Sequence, residues 1–262
     1  MASAMAQGIS IFCPEMDGEL ELLAWSPSKN AENPPKLTPG VEVKFAKSAK
    51  DLVKKSDYTV LAMKPYQAEE ALAALKKELS GKAVVSLMGG SWDFESLKGL
   101  LPENARILRI MPNTPAAVGR GAILIEKKHS LTNDEWNYIT HIFSHFASLY
   151  ELPAEKFDAA AAISGCGPAF LYMAIEALGD AGVKHGLTRR LAYDLAATTA
   201  AGAGQMALGL ADYSEDLPPV PHPGELKDAV CSPGGTTIKG VCALEEAGMR
   251  SAFIKAIDAV LS

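Results

Sequence analysis

From Tyr58 to Phe146 one pattern recurs: a short run of β-branched residues and leucine, a break, then an amphipathic stretch. Tyr58–Met63, Ala83–Met88, Arg106–Ile110 and Ala122–Ile125 read as strands, and Gln67–Leu79, Trp92–Leu100 and Thr132–Phe146 as helices. Apolar strands alternating with helices specify βαβ units and a parallel sheet with helices packed on its faces. Right-handed crossovers make this a doubly wound, Rossmann-like α/β domain. Upstream, Met1–Phe12 reads as an Ala-rich helix, Glu19–Trp25 and Val41–Phe45 as strands, and Ser48–Lys55 as a short helix, with a Pro- and Asn-rich loop running to Gly40. Ligands of such sheets sit beyond the carboxyl ends of the strands. The breaks at Lys64-Pro65, Gly89-Gly90 and Pro112-Asn113-Thr114-Pro115 all fall there, so a lined crevice is a better account than three unrelated turns.

The pattern changes after Pro153. Phe157–Ile163 is apolar and Ala-rich, Ser164-Gly-Cys-Gly-Pro168 interrupts it, and Ala169–Val183 and Arg190–Leu208 are long Ala-rich helical stretches. Alanine at this density, with Gly202 and Gly204, marks close helix–helix packing. No strand pattern returns. The chain therefore divides into a dinucleotide-binding domain, residues 1–152, and a helical domain, residues 153–262, with a site expected where the two meet.

The helical half holds the most informative loop, Cys231-Ser-Pro-Gly-Gly-Thr-Thr-Ile238. Ser232 and Pro233 signal a helix start, Gly234 and Gly235 let the backbone approach a ligand, and Ile238, Val241 and Leu244 give the following helix an apolar stripe. Free amides at such a start suit a phosphate or a carboxylate. The competing account is a plain N-cap, in which a Ser or Thr satisfies only the helix's own amides.

A formal charge of −6 argues against a nucleic-acid or membrane-surface partner. No apolar run approaches the ~20 residues of a membrane span, and no secretory signal is visible. The four cysteines, Cys13, Cys166, Cys231 and Cys242, lack metal-ligand spacing and read as free thiols of a reducing compartment, taken as the cytoplasm. His141 and His145 stand one helical turn apart without the rest of a zinc motif, so no metal is expected. His222 lies between two prolines and reads as a rigid turn. No nucleophile–base signature and no carboxylate pair stands out. That pattern favours chemistry carried by a cofactor. Trp25-Ser26-Pro27-Ser28-Lys29 closes a strand candidate with no carboxylate to hold a ribose 2′-hydroxyl. Its two hydroxyls and lysine suit a 2′-phosphate, hence NADPH over NADH, although an ordinary Ser-Pro turn explains the same residues.

Five segments then carry a resemblance: Leu61-Ala-Met-Lys-Pro65, Arg109-Ile-Met-Pro-Asn-Thr-Pro115, Ile163-Ser-Gly-Cys-Gly-Pro-Ala-Phe170, His222-Pro-Gly-Glu-Leu-Lys-Asp228 and Cys231-Ser-Pro-Gly-Gly-Thr-Thr-Ile238. In this order and spacing, over almost the whole chain, they resemble pyrroline-5-carboxylate reductase. The resemblance implies an N-terminal Rossmann domain, a C-terminal helical dimerisation domain, and a homodimer or larger homo-oligomer. It implies hydride transfer from NADPH or NADH to the C=N bond of 1-pyrroline-5-carboxylate, the last step of proline biosynthesis. It places Ser26 and Ser28 at the adenosine ribose or its phosphate, and Met63, Lys64, Pro65, Gly89 and Asn113 along the cofactor crevice. Gly235, Thr236 and Thr237 would hold the substrate carboxylate and ring nitrogen, with Thr237 as the group that orients the imine and passes it a proton.

One departure is large. The family opens with a strand and a Gly-x-Gly-x-x loop, whereas Met1-Ala-Ser-Ala-Met-Ala-Gln-Gly8 matches the part just after those glycines. The sequence as written is therefore expected to be an incomplete form of a longer protein, or else to fold with a compromised cofactor site. It is expected to bind NADPH poorly, and a strand plus glycine loop ahead of Met1 to restore activity. Two other readings share most of these features. One is a different NADP-dependent imine or hydroxyacid dehydrogenase, with Lys184 or Lys227 as its acid/base group; the other is a non-catalytic relative acting as a binding or oligomeric protein.

Overall fold

The structure is a computed structural model and describes residues 1–13, 20–29, 31–32, 41–90, 92–209 and 222–262. It divides into two compact units, Met1–Cys166 and Gly167–Ser262. The first contains α1 (Ala2–Phe12), β1 (Leu23–Ala24), β2 (Lys44–Phe45), α2 (Ala49–Lys55), β3 (Tyr58–Leu61), α3 (Ala68–Leu75), β4 (Ala83–Ser86), α4 (Phe94–Leu100), β5 (Arg106–Pro112), β6 (Gly121–Glu126), α5 (Asn133–Ser144), β7 (Ala147–Leu152) and α6 (Ala154–Ala161).

Five strands form one sheet in the order β3-β4-β5-β6-β7. The pairs β3–β4 and β4–β5 are parallel, as expected, and so is β6–β7, but β5 and β6 run antiparallel. Only the short connection 113–120 joins these two strands, and a parallel return needs a crossover of a dozen or more residues. Alternate residues of the central strands feed separate cores. Val85, Leu108 and Ile110 pack with Met5 of α1 and with Ile139, Ile142 and Phe143 of α5. Val84 and Ile107 pack with Val53, Leu72 and Leu97 of α2, α3 and α4. Helices thus cover both faces, and every residue of β4 is buried, which is why it is apolar up to Ser86 at its end. Gly8 lets α1 lie close against the turn after β5 and against Phe146: a Cβ there would meet the Ala116 carbonyl oxygen at 2.7 Å and the Phe146 ring at 2.8 Å.

The strands expected over Glu19–Trp25 and Val41–Phe45 shrink to two residues each. They form a separate ribbon with the register Leu23↔Lys44 and Ala24↔Phe45. Among the described residues β1 pairs only with β2, and β3 only with β4, so the strand ladder is in two pieces. β7 carries no clear alternation in Ala-Ser-Leu-Tyr-Glu-Leu and has no counterpart in the sequence reading. It is the other edge of the sheet, where half the side chains meet solvent.

Helix starts follow side-chain capping. Ser48 accepts the Asp51 amide at 3.1 Å, and Asp93 accepts that of Ser96 at 2.9 Å. Thr132 and Glu135 form a reciprocal capping box, and Glu135 also grips Arg106 at the foot of β5, with Nη2···Oε1 at 2.7 Å. The Arg106 guanidinium holds the Glu135 carboxyl below the usual carboxylate range. A lowered folded-state pKa adds stability above the unfolded value, and that stability is lost as pH falls through the folded one. Urea midpoints of the parent protein should therefore drop more steeply on acidification than those of Glu135→Gln; parallel curves would refute this.

The second unit contains α7 (Gly167–Lys184), α8 (Arg189–Leu208), α9 (Pro223–Ala229), α10 (Thr236–Glu246) and α11 (Met249–Leu261). α7 and α8 pack closely because small residues line their contact: a Cβ at Gly179 would meet Tyr193 at 2.7 Å, and one at Gly182 would meet Ala192 at 3.0 Å. Asp180, Arg189 and Tyr193 tie the pair at its turn, with Nη1···Oδ1 at 2.7 Å and Tyr193 Oη donating to Asp180 at 3.1 Å. Leu171, Tyr172, Met173, Leu178, Leu191 and Leu195 remain exposed.

Ser164-Gly-Cys-Gly-Pro168 does not interrupt the helix. Ala162–Cys166 forms a single π-turn that leads α6 straight into α7. The run Ala154–Lys184 is consequently a 31-residue helix, long and apolar enough to cross a membrane by length and composition alone. The expectation that no such run exists treated residues 164–168 as a break.

Candidate active site

The ladder aligns Leu61 with Ser86 and Ser86 with Arg109, so β3, β4 and β5 present their carboxyl ends along one edge. The structure brings Met63, Lys64, Pro65, Gly89 and Asn113 to that edge. Met63 is half-buried against the α2–α3–α4 core. Pro65 opens a 3-10 turn, Pro65–Gln67, closed by Gln67 N–H donating to the Lys64 carbonyl at 2.9 Å. The Lys64 side chain is exposed and forms no ion pair among the described residues, which leaves its ammonium available to a phosphate.

Gly90 adopts φ +69°, in the left-handed region that favours glycine. Gly89 beside it lies against the flexible end of Met111: an added Cβ would come 2.9 Å from its Cε. Backbone there can lie close to a flat ring or a phosphate. Asn113 is buried and spends its amide on the protein. Its Oδ1 accepts the Ala122 amide at 2.9 Å, and its Nδ2 donates to the Ser164 carbonyl at 3.0 Å. It joins the end of β5 to the π-turn. Ser164 Oγ is buried there without a hydrogen-bond partner.

Ser26 and Ser28 are not linked to this edge by any strand ladder, because they follow β1 of the separate ribbon. Ser26 closes a turn in which its Oγ accepts the Lys29 amide at 3.0 Å. Ser28 is exposed at the turn's tip. Both halves of the sequence reading stay open on this geometry, since a Ser-Pro turn is present and its tip faces solvent.

Gly235, Thr236 and Thr237 lie in the second unit. α10 begins at Thr236 with Gly235 as its N-cap; no side chain caps it, and no acidic residue lies in its first turn. The plain N-cap account therefore fails here, and the first-turn amides have no intrahelical acceptor. The loop before them is tight. Gly235 N–H donates to the Ser232 carbonyl at 3.0 Å, Gly234 adopts φ +70°, and a Cβ on Gly235 would come within 2.4 Å of Ser232 Oγ. Thr236 and Thr237 are exposed.

His222 is an N-cap: its Nδ1 accepts the Gly224 amide at 3.0 Å at the start of α9, where Pro223 is the first helical residue. His141 and His145 stack edge to face at 4.7 Å, and no cluster of metal-ligating residues occurs among the described residues.

Sequence reasoning missed Arg109 and Glu126. Both are about 2 % exposed and pair at 3.3 Å inside the sheet domain. The signal was present as a cation in the interior of β5 and an anion at the end of the apolar strand β6.

A doubly wound sheet with a glycine turn and a lysine along its strand ends, in a chain that continues as a helical unit, defines the class of nicotinamide-nucleotide oxidoreductases. A family model described as NADP oxidoreductase, coenzyme F420-dependent, matches residues 24–90, and one described as pyrroline-5-carboxylate reductase dimerisation matches residues 154–262. The pyrroline-5-carboxylate reductase of Treponema pallidum is 40% identical over 218 residues, covering 82% of this chain and 79% of that protein. The Escherichia coli reductase is 31% identical over 257 residues, 98% of this chain and 91% of that one. The crystal structure of Plasmodium falciparum pyrroline carboxylate reductase with NADP bound superposes with TM-score 0.81 at 32% identity, covering 98% of this chain and 90% of that chain. The chain belongs to the pyrroline-5-carboxylate reductase family. The dimerisation match begins one helix before the boundary between compact units, because α6 packs against β6 of the sheet domain.

Proposed function

We propose that the chain reduces 1-pyrroline-5-carboxylate to L-proline with NADPH, and with NADH less readily, as a homodimer or larger homo-oligomer of the cytoplasm. Family membership and the side-chain-free start of α10 support this reading. The free cysteines suit a reducing compartment. The apolar residues exposed on α7 and α8 suit a subunit interface better than a membrane. The net charge of −6 makes no case for nucleic acid.

When bound, a reduced nicotinamide supplies a hydride. The residues at the sheet edge fit such a cofactor: Gly89 and the left-handed Gly90 admit close approach, Lys64 offers a cation, and Met63 and Pro65 offer apolar surface. Ser26 and Ser28 meet the adenosine ribose phosphate. Gly235, Thr236 and Thr237 hold the substrate carboxylate and ring nitrogen, the carboxylate through the uncapped first-turn amides from Thr236 onward, where the partial positive charge of the helix start adds to their hydrogen bonds. The Thr237 hydroxyl orients the imine nitrogen and relays to it a proton taken up from water, so that the hydroxyl is restored as the amine forms. No strong base is required, and orientation supplies much of the acceleration.

The decisive assay follows NADPH oxidation with 1-pyrroline-5-carboxylate and, separately, with 3-hydroxyacids plus NADP, and identifies the product. L-Proline formed only from the imine supports the reading; turnover of hydroxyacids alone, or of neither, overturns it. Gly235→Ala provides a sharper check. Its methyl group displaces Ser232 and pushes the loop off the first-turn amides. It should raise KM for the imine by about tenfold, the cost of one weakened charged hydrogen bond, with the KM for NADPH unchanged.

A further inference from the structure

Arg109 is a charged residue in the middle strands of the sheet, and the proposed chemistry does not use it. Its guanidinium is fully enclosed. Nη2 donates to the Gly90 carbonyl at 2.9 Å, Nε reaches the Met88 carbonyl at 3.5 Å, and Nη1 pairs with Glu126 Oε2 at 3.3 Å. The ring of Phe157 lies 4.1 Å from the guanidinium carbon and fixes its plane. Glu126 in turn accepts the Phe94 amide at 3.1 Å, at the start of α4.

These contacts share one geometric result. The connection from β4 to α4 is held at its entry by Arg109, through two carbonyls, and at its exit by Glu126, through one amide. A left-handed glycine takes the chain out of the ladder at this point, so the Met88 and Gly90 carbonyls need donors from elsewhere. A planar fork serves both at once; an ammonium or an apolar side chain of equal volume does not. Buried ion pairs are weak contributors to stability compared with well-packed apolar residues, so stability alone does not account for this one.

We infer that Arg109, held by Glu126, is a positioning residue for the cofactor: it sets the Gly89–Gly90 turn at the height from which Gly89 faces the nucleotide. The inference rests on the placement of the cofactor at this strand edge. The test measures the NADPH dissociation constant by nicotinamide fluorescence, with kcat at saturating NADPH and a melting curve, for the parent chain and for Arg109→Lys, Glu126→Gln and Gly89→Val. Arg109→Lys keeps the charge and loses the fork, and should weaken NADPH binding by about tenfold, as expected for one lost charged hydrogen bond, while kcat at saturation stays within about twofold. Glu126→Gln is isosteric, carries the test if the lysine variant does not fold, and should shift binding in the same direction. A role in stability alone would lower the melting temperature and leave NADPH binding unchanged in both variants; that result overturns the inference. Gly89→Val separates the two levels of the argument. If valine weakens NADPH binding and the other variants do not, only the positioning role falls. If valine has no effect, the placement of the cofactor falls, and the positioning role with it.

Discussion

Thr237→Val is expected to lower kcat by about two to four orders of magnitude, the span typical of removing a positioned proton-transfer group. Valine keeps the β-branched shape, so the first turn of α10 should persist. The hydroxyl is the only thing lost, and it makes no hydrogen bond within the described residues that its removal would break. In the proposed site the carboxylate is held by main-chain amides that valine retains, so KM for the imine should change little. Loss in kcat with KM preserved marks an interaction made in the transition state. Thr237→Ser, which keeps the hydroxyl on a freer side chain, should recover much of the rate. A valine variant within about fivefold of the parent in kcat would remove Thr237 from the proton path, since even modest acid catalysis exceeds that factor.

Arg109→Met should be the most destabilising single change away from the substrate loop, by about 3–5 kcal/mol, because it leaves Glu126 charged and enclosed without its partner. The two side chains are 2% and 3% exposed, so solvent cannot replace the lost cation. Phe94 N–H would still satisfy part of the carboxylate, which argues for the lower end of that range. The double variant Arg109→Met with Glu126→Leu should be more stable than Arg109→Met alone, since it removes the stranded charge. Urea unfolding of the three proteins measures this directly. A loss below about 1 kcal/mol in the single variant, the size of an exposed ion pair, would show that water reaches the site.

Much of the fold was legible because the central strands are buried on both faces. Ala83–Val85 and most of Arg106–Pro112 are apolar for that reason, and runs dominated by apolar residues survive any choice of register. Helix starts were legible where a side chain marks them, as at Ser48 and Thr132. The edge strand β7 was not, because half of its residues answer to solvent. The turn at 162–166 was misread for a different reason. Glycine and proline commonly end helices, but here the helix continues through one wide turn, and Pro168 follows directly after it, where the regular i→i−4 ladder is already interrupted. At the site, Gly235 and Thr237 stood out because two glycines and two threonines exceed what a cap needs. Arg109 did not, because an isolated charge in a strand has no meaning until its partner, seventeen positions away, is seen beside it.

Among the described residues the ribbon of β1 and β2 has two paired residues in each strand and no ladder to the rest of the sheet. So few rungs mean that it can open without disturbing β4 and β5, at a small fraction of the global unfolding free energy. Amide protons of residues 23–24 and 44–45 will thus exchange with solvent long before those of 83–86 and 106–110. The turn bearing Ser26 and Ser28 belongs to this weakly held layer, so under the role proposed for these serines, discrimination between the two nicotinamide nucleotides draws on a part of the protein with little resistance to fluctuation.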